Sequence, residues 1–126
     1  MIPDDLKYSK EHEWVKTDGD NVIIGITDFA QGELGDIVFV ELPAISDKVE
    51  YGEPFGTIEA VKAVSDLFSP ITGEVVEVNT AIEADAGIIN SDPYGDGWLI
   101  KVKIDDNSQL DQLLDAAGYQ EVIGQN

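Results

Sequence analysis

Apolar residues in this chain come in short runs, many alternating with polar ones, and the runs are separated by Gly, Pro, Asp, Asn and Ser. That is the pattern of pleated strands joined by turns, with helix confined to a few short pieces. Leu6-Lys7-Tyr8 and Trp14-Val15-Lys16 predict two short strands around the polar elbow Lys10–Glu13. Asp18-Gly19-Asp20 is a hairpin turn before the strand Val22–Ile26. Thr27 predicts the cap of a short helix over residues 27–34, because its side chain can accept from the free amides of the first turn, and Gly35 closes it. The strand Ile37–Leu42 stops at Pro43, which has no amide to give to a ladder. A brief strand at Lys48-Val49-Glu50 and a turn at Tyr51–Pro54 lead to the segment around which the rest is arranged.

That segment, Gly56–Val78, reads GTIEAVKAVSDLFSPITGEVVEV. It stays apolar on both sides of one cation, Lys62, and is cut by turn chemistry at Ser69-Pro70 and Thr72-Gly73. Lys62 is therefore expected at the bend of a hairpin, between a strand ending near Val61 and one starting near Ala63. Short Ala60 and Ala63 leave its stem unobstructed. A lysine at such a turn ordinarily does no more than keep a strand edge soluble. Further on, Thr80–Gly87 predicts a weak helical turn, Ile88-Ile89-Asn90 leads into the loop Ser91–Gly97, and Trp98–Ile104 alternates as a strand with Lys101 and Lys103 on its wet face. Ser108 is expected to start a C-terminal helix over 108–117, with Leu110, Leu113, Leu114 and Ala117 as one apolar stripe and Gly118 ending it. A short turn from Tyr119 to Ile123 and a frayed Gly124–Asn126 complete one mostly β domain over 1–126.

Charge narrows the function. The net charge is −19, from 26 acidic residues against seven lysines with no arginine. Nucleic acids and anionic membranes are held by Lys/Arg patches, so neither is an expected partner, whereas cationic protein surfaces are favoured. There is no cysteine, so any thiol chemistry must arrive on a cofactor. No apolar run is long enough to cross a bilayer, and Met1–Lys10 lacks the apolar core of a signal peptide. A cytoplasmic location is expected, with the mitochondrial matrix as the alternative if a transit peptide has been removed.

Glu59-Ala60-Val61-Lys62-Ala63, Ser65-Asp66-Leu67, Ser69-Pro70 and Gly73-Glu74-Val75 together resemble the lipoyl-attachment segment of the glycine cleavage system H proteins. A biotinyl domain is a poorer match, since its lysine usually sits between methionines and the sole Met here is Met1. The resemblance runs from about Leu6 to Tyr119. His12-Glu13-Trp14-Val15, Gly25-Ile26-Thr27-Asp28, Leu34–Pro43, and Asp92-Pro93-Tyr94-Gly95 with Gly97–Ile100 follow in family order. The chain departs at Ala60, where the family often has serine, in the missing proline of residues 81–89, and in its brief tail.

The resemblance implies a lipoyl/biotinyl-type flattened β-barrel, or barrel-sandwich, with lipoate in amide linkage on Lys62. It also implies a carrier and not an enzyme. A pyridoxal-phosphate glycine decarboxylase would leave an aminomethyl group on the arm, and a tetrahydrofolate-dependent aminomethyltransferase would remove it. Dihydrolipoamide dehydrogenase would reoxidise the arm, and a lipoate ligase or lipoyl transferase would attach it. By position in the family motif, Glu13 and Asp66, with Glu11 as a third, are expected to hold the cationic amine of the loaded arm in a cleft that excludes water. Glu59 and Ala63 stand where the lipoylating enzyme would read the hairpin. His12, the lone histidine, has neither a nucleophile nor a second histidine to work with and reads as structural or surface. A monomer is expected. Other readings stand beside this one: an H-like protein relaying lipoate to other dehydrogenases, an unmodified acidic binding module of the same fold, and, last, a hydrolase built on the Glu11–Glu13 pair.

Overall fold

The alternating runs do form strands, nine among residues 2–124, which are the residues described by this computed structural model. In chain order they are β1 (Lys7–Tyr8), β2 (Glu13–Asp18), β3 (Asn21–Ile26), β4 (Ile37–Glu41), β5 (Lys48–Val49), β6 (Pro54–Ala60), β7 (Val64–Phe68), β8 (Gly73–Val78) and β9 (Ile100–Ile104). Four short helices join them: α1 (Asp28–Leu34), α2 (Thr80–Ala84), α3 (Ile88–Ser91) and α4 (Ala116–Val122). One sheet has the order β1-β2-β3-β9-β8-β5 and the other β4-β6-β7, with antiparallel pairing throughout. This is the mostly β, flattened barrel-sandwich arrangement expected. Among the described residues no helix is long and apolar enough to cross a membrane. The expected fraying of the last residues falls, for 125 and 126, outside the described residues.

Period-two alternation fills the core. Val22 and Ile24 of β3, Val40 of β4, Ile58 of β6, Leu67 of β7 and Val102 of β9 are all buried in one cluster shared by both sheets. Each such side chain contributes roughly 1.5–3 kcal/mol by leaving water. A second cluster gathers Leu6, Tyr8, Trp14, Ala116 and Tyr119. There Tyr8 stacks on Tyr119 with ring centroids 4.8 Å apart, which fastens α4 to β1. Trp14 lies flat against its cross-strand partner Gly25, where a Cβ would stand 2.5 Å from the indole, and its Nε1 donates to the Pro93 carbonyl at 2.9 Å.

Two helical expectations need correction. Residues 108–117 are not one helix: a 3₁₀ turn spans Asn107–Gln112 under an Asp106 cap, and α4 begins only at Ala116 under an Asp115 cap. Between them the chain is extended, because Leu114 exchanges two backbone hydrogen bonds with Tyr8, at 2.8 and 2.7 Å. Gly118 therefore lies inside a helix rather than ending one, its amide donating to Asp115 Oδ1 at 2.8 Å. Likewise Ile88–Ser91 is a helix of its own, α3, rather than the start of a loop.

Candidate functional site

Lys62 sits at a hairpin bend, as its surroundings predict. Ala60 and Ala63 face each other, Ala60 N donating to Ala63 O at 2.7 Å and Ala63 N to Ala60 O at 3.4 Å, which leaves Val61-Lys62 as the loop. Neither loop residue has a positive φ, so the bend is not one of the primed turns that commonly close two-residue hairpins. It is held from outside instead. Val61 N donates to Asp36 O at 2.9 Å. The neighbours of Asp36 are fixed by one side chain of α3: Asn90 Oδ1 accepts from Ile37 N at 2.8 Å, and its Nδ2 donates to Gly35 O at 2.9 Å and to Gln31 Oε1 at 2.8 Å. Gly35, at φ 81°, closes α1 and also clears space for the lysine, since a Cβ there would stand 3.2 Å from Lys62 Cε. Lys62 is exposed, and among the described residues no carboxylate lies within ion-pairing distance of its Nζ.

Phe68, at the far end of β7, lines a cavity of about 360 Å³ with Tyr8, Ser9, Glu11, Glu13 and Leu114. Glu13 is 2 % exposed. Its Oε1 accepts from the Ser9 hydroxyl at 2.5 Å, and its own amide donates back to Ser9 Oγ at 3.1 Å. Burial pushes the Glu13 carboxyl up to about 8, against the hydrogen bonds from Ser9 and the Phe68 amide that favour its charged form. That shift favours the protonated form at neutral pH, and a cation placed beside the carboxyl would favour its ionisation. Glu11 is exposed at the cavity margin. A second groove of about 500 Å³, bordered by Glu41, Lys48 and Phe55, is larger but more open, and no buried ionisable side chain lines it.

The two other predicted groups lie elsewhere. Asp66 is exposed in mid-β7, paired with Thr57, and does not line the cavity, so the structure brings Glu11 and Glu13 together and leaves Asp66 outside. It shares the outward face of β7 with Val64 and Phe68, between the lysine and the cavity. Phe68 comes six positions after Lys62, so that face extends for roughly 20 Å. Glu59 is exposed beside Val64, and Ala63 is exposed at the bend. His12 has a structural place: Nδ1 lies 2.8 Å from the Tyr119 hydroxyl, which in turn lies 2.7 Å from Thr27 Oγ1, the cap of α1. Burial holds the imidazole below its usual pKa, although Glu11 and Glu33 oppose this.

Sequence reasoning missed Ser9, Asn90 and the second role of Gly35. The Ser9–Glu13 spacing, hydroxyl to carboxylate across a polar elbow, is a signal that a turn reading could have used. Asn90, a lone amide behind two isoleucines, carries no such signal.

Residues 6–126 match the family model described as "Glycine cleavage H-protein". A glycine cleavage system H protein of Staphylococcus carnosus is 56% identical over 124 residues, covering 98% of each chain. One of Chlorobium limicola is 58% identical over 126 residues at the same coverage. The crystal structure of a glycine cleavage system H protein from Mycobacterium marinum superposes with a TM-score of 0.87 at 42% identity, over 98% of this chain and 99% of that one. With the match spanning both the lysine hairpin and the cavity at the far end of β7, this chain belongs to the glycine cleavage H-protein family.

Proposed function

We propose that Lys62 carries lipoate in amide linkage, and that the chain conveys an aminomethyl group from a pyridoxal-phosphate glycine decarboxylase to a tetrahydrofolate-dependent aminomethyltransferase, with dihydrolipoamide dehydrogenase resetting the arm. H proteins are the non-catalytic lipoyl carrier component of the glycine cleavage system. One observation carries the reading: an exposed amine, free of any described ion pair, stands on a hairpin braced from behind, one strand-length from a cavity with a buried carboxyl.

The residues fit the group. Lys62 offers a primary amine on an unobstructed stem, and Gly35 leaves room beside it. When attached, the lipoyl group supplies the dithiol that this cysteine-free chain lacks. The cavity supplies shelter from water, and Glu13 supplies the one deeply buried carboxyl among the described residues with which to balance a cation. Ser9 fixes Oε1 of that carboxyl. Asp66, on the outward face of β7, would meet a cation before it reaches the cavity. Glu59 and Ala63 flank the lysine where an acylating enzyme would read it.

Reconstitution with the decarboxylase tests this. Lipoylated protein should support glycine-dependent CO₂ release, and Lys62→Ala should abolish it. Glu13→Gln should still accept lipoate but release ammonia from glycine faster when the transferase is absent. Fully lipoylated wild type that supports no CO₂ release would sink the reading.

A further inference from the structure

Four of the seven large apolar side chains exposed among the described residues, Val38, Phe39, Val61 and Val64, lie on β4 or around the bend that carries Lys62. Cross-strand pairing orders the outward face of their sheet. Phe39, Glu59 and Val64 form one row, and Glu41, Thr57 and Asp66 form the next. Strands lie about 5 Å apart, so Phe39 and Val64 stand about 10 Å apart with Glu59 between them, and Glu41 and Asp66 flank Thr57 at the same spacing. Phe39 is 48% exposed and Val64 68%, while Val40 and Ile58, on the opposite face, fill the core. The outward apolar pair is therefore not part of the packing. β4, β6 and β7 contain no lysine, which leaves Lys62 as the cation beside this face.

We propose that this face is the docking surface for the enzyme that acylates Lys62, and that the enzyme meets it with an apolar strip rimmed by Lys or Arg. The proposal rests on the carrier reading above and deepens it. Reach selects this occupant. The unmodified amine extends no further than its own four-carbon stem, which runs beside Gly35. A catalyst must bring an activated lipoyl carbonyl to Nζ there. The amide C–N bond forms as the acyl C–O bond to a nucleotide phosphate breaks, the electron pair leaving with the phosphate and the amine proton passing to solvent. Such a catalyst has to touch the bend and what surrounds it. Partners that act on an attached arm would instead have to reach its far end, beyond the lysine stem. Three carboxylates facing out also suit a cationic rim, which gives register and faster encounter at low salt.

The test is acylation kinetics of unmodified protein with lipoate, ATP and a lipoate ligase. For Phe39→Ser/Val64→Ser, the KM for the carrier should rise about tenfold with kcat unchanged, as expected when contacts made only on docking are removed. Glu41→Gln should flatten the salt dependence of the same KM. The double variant, driven to full lipoylation by long incubation, should melt as wild type does and turn over with dihydrolipoamide dehydrogenase at the wild-type rate. Unchanged acylation kinetics would overturn the proposal. So would an equal loss with the dehydrogenase, which would make the face a common surface for every partner. If wild type itself takes no lipoate, the carrier reading falls and this proposal with it, an outcome distinct from both.

Discussion

At the scale of single residues, the proposed sheltering of a cationic group turns on Glu13. Folding raises its carboxyl from 4.5 to about 8, chiefly by burial. Between those values the unfolded chain has it ionised and the folded chain has it protonated. Its contribution to stability is whole below about pH 4.5, falls as pH rises towards 8, and changes no further above that. The total loss is on the order of a few kcal/mol. Glu13→Gln should therefore melt close to wild type at pH 4 and above it at pH 8; parallel melting curves across that range would contradict the buried, protonated carboxyl. His12 works in the other direction, its lowered pKa costing stability as pH falls below 6.5, but it is common to both proteins and cancels in the comparison. Position in the family motif singles out Glu13, but its charge state is not legible there. Burial is a property of the assembled cavity, to which residues as distant as Phe68 and Leu114 contribute. The same limit separates Asp66 from Glu13: in sequence both are acids within family motifs, and only the fold leaves one in solvent.

At the scale of elements, local patterns locate the hairpin and α1 well. The two alanines pair across the bend, and Thr27 Oγ1 accepts from Ala30 N at 3.2 Å as a cap should. What local pattern does not contain is the bracing. The bend keeps its place through Asp36, whose flanks are held by Asn90 from 54 positions further along. Asn90→Ala leaves Ile37 N and Gly35 O without partners and should cost about 1–3 kcal/mol in denaturant unfolding. It should also reduce hydrogen-exchange protection of the Val61 amide. Full protection of that amide in the variant would show that the bend stands without the brace. The C-terminal segment failed for the same reason. Its leucines are spaced for a helix, but the ladder bonds between Leu114 and Tyr8 are tertiary and override that spacing.

At the scale of the whole molecule, two sheets close over one core and place a cation at one end of β7 and a protected carboxyl at the other. The fold class was readable because alternation sets which face of each strand is buried. The proposed identity of the carried group rests on resemblance, since no physical feature of an exposed lysine distinguishes one acyl group from another. The net charge of −19 limits the partners to surfaces that tolerate or seek it, and leaves Lys62 as a lone cation beside an acidic sheet face. The claim on which all else depends is that Lys62 is the acylated residue. Intact mass and peptide mapping after incubation with lipoate, ATP and a lipoate ligase measure it directly, with Lys62→Ala as control. The expected result is a single lipoyl adduct on the peptide containing Lys62, absent from the control. Folded protein that stays unmodified under conditions that lipoylate another acceptor, or that is modified at a different lysine, would contradict it.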